Sequence, residues 1–253
     1  GEANWPQRSA GCGCLDTCGF EKDAFYFYKS VWNQKEKFAY LCPHWNLKLK
    51  KGTVLPVICY TNCEDAELFV NGRSFGMKSK GFPCYGMTER YGHFASYRRP
   101  ANTDDLFLSW DVPYEPGKIE VVGYHDGKEV CRYNVETTGE AAAIKLTVDK
   151  TSVDADGRSV VQAEVRILDS EGHLVFDACP ELNFTLEGDG EIIGIDNGDP
   201  ACHEQWKETK GRHAFNGMAY AVIRAGQNKG ELKLTVTSSD NTLTNASVTI
   251  QVG

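Results

Sequence analysis

The sequence predicts a mainly β protein: two immunoglobulin-like β-sandwiches in tandem, preceded by one short helical segment. Three observations predict it. Short runs rich in β-branched and aromatic residues recur from Phe38 to the end, and several alternate apolar with polar at period two. Asn71-Gly72 and Asp126-Gly127 fall between such runs, where Asn-Gly and Asp-Gly supply the positive φ angles of tight hairpin turns. Only the aromatic cluster from Phe25 to Trp32 keeps helical spacing instead.

The helix comes first. Glu21 and Asp23 lead into Phe25, Tyr26, Phe27, Tyr28, Val31 and Trp32, so acidic residues occupy the end where the helix dipole favours negative charge. Phe25, Tyr28 and Trp32 share one face, while Tyr26, Phe27 and Val31 make the others apolar too, a pattern that predicts cover on several sides. The strands of the first sandwich are expected at 38–41, 45–49, 54–60, 66–70, 106–112, 119–124 and 130–135, which is the number and spacing of an immunoglobulin-like domain. The stretch 78–103, rich in Gly, Tyr, Arg and Pro, reads as a long excursion; its Tyr85, Tyr91, Phe94, Tyr97 and Arg98 suit either a sugar-binding surface or packing against a neighbour. Thr137-Thr138-Gly139-Glu140 ends this pattern. Strands at 144–148, 160–169, 183–187, 191–195, 212–224, 231–237 and 246–252 then form the second sandwich. The expected domains are therefore 1–36, 37–138 and 139–253.

Bulk properties narrow the function. A hydrophobic fraction of 41% and a charged fraction of 25% fit a folded globular chain of 253 residues, long enough for two cores. The net charge of −8, with no basic stripe beyond short pieces such as Lys48 to Lys51, argues against a nucleic-acid partner. No run approaches the roughly 18 apolar residues of a membrane helix, so no membrane insertion is expected. The chain opens without Met and without a signal segment, so Gly1 reads as a mature terminus or a boundary within something longer.

Candidate sites are few. The ten cysteines crowd the first half of the chain, with only Cys179 and Cys202 late, unlike a regular disulfide framework; buried thiols are the expected state. Cys12, Cys14 and Cys18, with Cys42 and His44, match no standard zinc spacing. Asp154-x-Asp156-Gly157 and Asp196-Asn197-Gly198-Asp199 could offer oxygens to calcium but lack further ligands at matching spacing, so turns are the simpler reading. His93, His125, His203 and His213 have no Cys or Asp at nucleophile spacing. No metal and no cofactor is expected.

Three stretches taken together carry a resemblance: GEANWPQRS with LDTCGFEKDAFYFYKSVW; VICYTNCEDAELFVNGRSFG with WDVPYEPGKIEVVGYHDGKEV; and GDGEIIGIDNGDPACHE with RHAFNGMAYAVIRA. In this order they resemble the C-terminal third of bacterial family 2 glycoside hydrolases of the β-galactosidase type. The resemblance implies that 1–36 is the C-terminal edge of a catalytic (β/α)₈ barrel, loop plus last helix. It implies an immunoglobulin-like domain over 37–138 and a bacterial Ig-like, invasin-type domain over 139–253. Gly11-Cys12-Gly13-Cys14, ahead of Leu15-Asp16, departs from the larger residues usual in relatives.

Sugar cleavage of this kind needs two carboxyl groups held about 5 to 9 Å apart. The resemblance implies a retaining mechanism whose two glutamates lie upstream of Gly1, and the sequence holds no Asn-Glu dipeptide of the acid/base type. Of the acids at the barrel edge, Glu2, Asp16, Glu21 and Asp23 read as loop or helix-start charges. No catalytic residue is therefore expected, and the chain by itself is expected to be inactive. Because barrel active sites are built from loops at the strand ends, Asn4, Trp5 and Arg8 are the candidate substrate-binding residues, Trp5 by stacking on the apolar face of a sugar ring. The expected function is a non-catalytic accessory region of a β-galactosidase-like enzyme acting on terminal β-glycosidic bonds. The expected partners are the catalytic barrel of the same polypeptide and a carbohydrate, and the expected location is periplasmic or secreted in a bacterium. The alternatives are a carbohydrate-binding module or a cell-surface Ig-like spacer or adhesin segment.

Overall fold

The computed structural model describes residues 4–8, 11–33, 35–79, 106–207 and 209–253. The chain is mainly β and divides into two compact units, Glu21–Thr137 and Gly1–Phe20 with Thr138–Gly253. The stretch 1–36, expected as one segment, is thus divided: residues up to Phe20 belong with the terminal sandwich, and the helix with the first.

In the Glu21–Thr137 unit, α1 (Asp23–Trp32) carries Asp23 in its first turn and Lys29 in its last, both favourable to the dipole. Strands β1 (Ala39–Cys42), β2 (Val54–Thr61) and β5 (Leu108–Pro113) make one antiparallel sheet, ordered β1-β2-β5. Strands β3 (Asp65–Val70), β4 (Arg73–Ser79), β6 (Lys118–His125) and β7 (Lys128–Glu136) make the other, ordered β4-β3-β6-β7. Both sheets contribute to one core, with Leu41, Val57, Cys59, Trp110 and Val112 from the first meeting Ala66, Leu68, Val70, Ile119 and Val121 from the second. The two hairpins turn where expected: Asn71 and Gly72 have φ of 48° and 79°, Asp126 and Gly127 50° and 71°.

Two expectations for this unit change. Residues 45–49 form no strand, because Trp45 turns into the core at 1% exposure and its indole N–H donates to the Glu115 carbonyl at 2.9 Å. Arg73–Ser79, which shows little alternation, is β4, recruited by pairing with β3. The aromatic residues proposed for the excursion, Tyr85, Tyr91, Phe94, Tyr97 and Arg98, lie outside the described residues.

The helix also uses its rings differently from the expected face. Tyr26 stacks on Tyr40 at 3.6 Å and Phe27 meets Tyr60 edge-on at 5.6 Å, so this side packs on β1 and β2. Tyr28, Val31 and Trp32 stay exposed, Trp32 at 73%, with Tyr28 and Trp32 stacked on each other at 4.9 Å.

In the other unit, β8 (Ala143–Val148), β10 (Val160–Leu168), β12 (Gly190–Asp196) and β14 (Met218–Ala225) form a four-stranded sheet ordered β12-β14-β10-β8. Facing it in one core are β9 (Ser152–Val153), β11 (Glu181–Glu187), β13 (Gly211–His213), β15 (Gly230–Ser238) and β16 (Ala246–Val252), ordered β13-β11-β15-β16-β9. The alternation seen in sequence is the burial pattern: Val161, Ala163, Val165 and Ile167 point inward from β10, and Leu232, Leu234 and Val236 from β15. The single strand expected at 212–224 is broken in two by a tight turn at Asn216 and Gly217, φ 52° and 71°. Asn-Gly was again the available signal.

Candidate functional cleft

Residues 4–8 and 11–20 form turns and bends with one isolated bridge at Leu15, and they are pinned to the terminal sandwich at several points. Asn4 accepts from the Gln7 N–H at 2.9 Å, closing a turn that presents Trp5. The Trp5 ring lies 4.6 Å from that of His203, whose Nε2 is 2.8 Å from the Pro6 carbonyl, and Trp5 remains 82% exposed. The Arg8 N–H donates to the Pro200 carbonyl at 2.6 Å. Asp16 folds the next turn by accepting the N–H groups of Cys18 and Phe20 at 2.8 and 2.9 Å. Its carboxylate sits against Gly198, where a Cβ would fall 2.0 Å from Asp16 Oδ2; with φ of +78° as well, only glycine fits there. Phe20 then anchors the segment by an edge-on contact with Tyr220.

These contacts shape a cleft of about 320 Å³ lined by Arg8, Thr17, Asp196, Asp199, Pro200 and Trp206. Its wall from Asp196 to Trp206 is ordered by a buried cation. Arg212, on β13 and 1% exposed, donates from Nη2 to Asp196 Oδ1 at 2.6 Å and from Nη1 to the Glu204 carbonyl at 2.8 Å. Burial pushes the Glu204 carboxyl up, but hydrogen bonds from the His213 side chain and N–H, with the charges of His213 and Arg212, outweigh it and hold the group below the usual carboxylate value. Nearby, burial followed by the charges of Asp196 and Asp16 pushes the Cys18 thiol up to about 12, so it stays protonated and unreactive. Asp196 and Asp199 each commit Oδ1 inside the loop, the latter to the Ala201 N–H at 2.8 Å. The opening thus brings together an indole, a guanidinium, a hydroxyl and two carboxylates, an apolar flat face beside hydrogen-bonding groups of both kinds.

Of the three expected substrate-binding residues, Arg8 lines the cleft, while Trp5 stands beside it on His203 and Asn4 builds the turn behind. Asp196, Asp199 and Trp206 were not singled out as cleft-lining, and no local pattern marks them for it; Arg212 read only as the start of a strand. The Asp196–Asp199 run forms a turn, with Asn197 Nδ2 donating to the His213 carbonyl at 2.9 Å. Asp156 likewise caps its own turn by accepting the Arg158 and Ser159 N–H groups. Asp23 accepts from the Tyr40 hydroxyl at 2.8 Å and Glu21 from that of Tyr26; Glu2 lies outside the described residues. Among the described residues, three ligand-type atoms come within 4.8 Å of one another at Glu64, His125 and Asp126, around an exposed hairpin tip where His125 Nδ1 is 3.1 Å from Glu64 Oε1. Beside the adjacent Asp126, His125 therefore has an acidic neighbour in Glu64 that its sequence spacing did not reveal.

Comparison with known proteins now fixes the family. Residues 144–249 match the model described as glycoside hydrolase family 2 C-terminal domain 5, and residues 52–131 match a domain of unknown function, DUF4982. The chain is 37% identical over 235 residues to the β-galactosidase BoGH2A of Bacteroides ovatus, an alignment covering 92% of this chain and 25% of that protein. This chain belongs to the C-terminal region of family 2 glycoside hydrolases. A β-glucuronidase of Formosa agariphila is 29% identical over 178 residues, covering 70% of the chain and 16% of that protein. Among solved structures, a β-glycosidase from Bacteroides vulgatus superposes with a TM-score of 0.83 at 31% identity, covering 100% of this chain and 29% of that one. The chain therefore spans between 16% and 29% of the length of these relatives.

Proposed function

We propose that these residues are the non-catalytic accessory region of a bacterial, periplasmic or secreted retaining β-glycosidase that removes terminal β-linked galactose or glucuronic acid. The acid/base and nucleophile glutamates of that enzyme lie in polypeptide outside these 253 residues. The observation that carries the reading is the exposed aromatic face of α1, where Tyr28 and Trp32 stand in solvent although such rings belong against apolar neighbours. A catalytic barrel of the same polypeptide is the partner that such a helix fits, and the likeness of this chain to a quarter of a β-galactosidase supports that choice. An adhesin-type spacer has no use for such a helix.

In this reading, Arg8, with Trp5 and Asn4 close by, faces the substrate, and the Asp196, Asp199 and Trp206 wall presents acceptors and a stacking surface to the sugar beyond the scissile bond. The 253-residue chain is expected to show no turnover of nitrophenyl-β-galactoside or nitrophenyl-β-glucuronide. Hydrolysis at an ordinary glycosidase rate of about 1–1000 s⁻¹, in a preparation free of contaminating enzyme, would sink the assignment.

A further inference from the structure

The Glu21–Thr137 unit holds a second chemically competent feature, unrelated to sugar. The sulfur atoms of Cys63 and Cys131 are 3.5 Å apart, although 68 positions separate the residues. Cys63 lies in the crossover from β2 to β3 and is 2% exposed, while Cys131 sits on β7, the edge strand of the four-stranded sheet, and is half-buried. Both sulfurs rest on Gly123, the cross-strand partner of Cys131. A Cβ at Gly123 would fall 2.6 Å from Cys131 Sγ and 2.7 Å from Cys63 Sγ, so the missing side chain is what makes room for the two thiols together. The Cys63 backbone is fixed as well: its N–H donates to Thr61 Oγ1 at 3.0 Å, and that hydroxyl donates to the Phe38 carbonyl at 2.6 Å.

We propose that Cys63 and Cys131 are a disulfide site, closed by exchange with a small-molecule disulfide and joining the β2–β3 crossover to the edge strand β7. A bonded pair is about 2.05 Å apart, so the sulfurs, now in contact, close by roughly 1.5 Å to bond. One cysteine, as thiolate, attacks the reagent disulfide and releases the first thiol; the other attacks the mixed disulfide and releases the second. The protein sulfurs lose two electrons, the reagent gains them, and the two cysteine protons leave with the released thiols. The bond would tie the three-stranded sheet to the four-stranded one and restrict the unfolded chain across 68 positions. The hydrogen bond between the two thiols, reinforced by burial, pushes the Cys131 thiol well above its ordinary value, so exchange in the folded chain is slow near neutral pH and quickest during folding.

The test uses the whole chain, reduced, unfolded and refolded in a buffer of oxidised and reduced glutathione, then trapped by alkylation and mapped by peptide mass spectrometry. A linked Cys63–Cys131 peptide should predominate, and the thermal midpoint of the Glu21–Thr137 unit should fall by about 5 °C or more on reduction. That fall should vanish in Cys63→Ser and Cys131→Ser. Both cysteines recovered alkylated from soluble, folded chain would overturn the proposal. So would a glutathione adduct at Cys131 alone, or Cys63 bonded to Cys59. Should the serine variants fail to fold, the wild-type peptide map decides the matter unaided.

Discussion

The sandwich ending at Thr137 sets large rings among its buried aliphatic residues, whereas the terminal one fills its centre with branched aliphatic side chains and alanines and buries charged and amide groups beside them. Trp45, Trp110 and Tyr114 are buried in the first, where the buried polar side chains among the described residues are Ser30 and Thr61. In the second, Ala163, Ala219, Ala221 and Ala225 line the inner faces, and Asp169, Asn197, Arg212 and Ser238 are buried. The difference teaches where each unit keeps its specificity. The indoles impose shape on a core and need one acceptor each, Glu115 for Trp45 and Gly76 for Trp110, while a buried charge holds a loop in one arrangement only if several partners are present. In the terminal unit those loops form the cleft.

Truncation in the ring-filled core should show the largest effect. Trp45→Ala removes a nearly fully buried indole and its hydrogen bond to Glu115, and should destabilise the Glu21–Thr137 unit by about 4 kcal/mol. Hydrogen exchange should show lost protection in β2, β5 and β6 with β10 and β15 unchanged; equal loss in both units would break the contrast. Arg212→Leu should cost the terminal unit about 3 kcal/mol, the lower end for a broken buried pair, because Asp196 and Glu204 keep about a third of their side-chain surface in water. Exchange should quicken across residues 196–206 well beyond its change in the strands. A uniform change would mean that Arg212 supports the core rather than the cleft wall.

Asp169 sharpens the comparison through pH. Burial pushes its carboxyl up, but the N–H groups of His173, Gly139 and Glu171 outweigh this and hold it below the usual carboxylate value. A group with a depressed native value contributes stability above its unfolded value, near 4, and loses it as the pH falls through the native one. Asp169→Asn should therefore cost the terminal unit about 2 kcal/mol at neutral pH. It should also flatten the acid limb of that unit's denaturant midpoint; an unchanged limb would show that another acid governs it. The smallest effect is expected at the Asp126-Gly127 turn. Gly127 has φ of +71° with nothing near its missing Cβ, so Gly127→Ala meets only backbone strain, about 1 kcal/mol in urea unfolding.

Much of the fold was legible from residues close in sequence. Alternation in β10 and β15 marked their inward faces, the Asn-Gly and Asp-Gly pairs marked two hairpins, and Asp23 with the following rings marked α1. The misreadings share a cause. Residues 45–49 look like a strand until the core claims Trp45; Arg73–Ser79 looks like loop until β3 pairs with it. Within the cleft, Arg8 and Trp5 were reached by resemblance, while Asp196, Asp199, Trp206 and Arg212 acquire their roles only from contacts across many positions.

Periodicity and turn preference act over a few residues, and for that reason the sequence by itself determined that this is a two-sandwich β chain with one aromatic helix at its start. Tertiary structure alone decided which rings of that helix stay exposed, that residues 4–8 and 11–20 pack on the terminal sandwich, that Arg212 holds the cleft wall, and that Cys63 meets Cys131. Those outcomes depend on strand register and on how each pair of sheets closes, and a short-range rule carries no information about which distant residue arrives opposite.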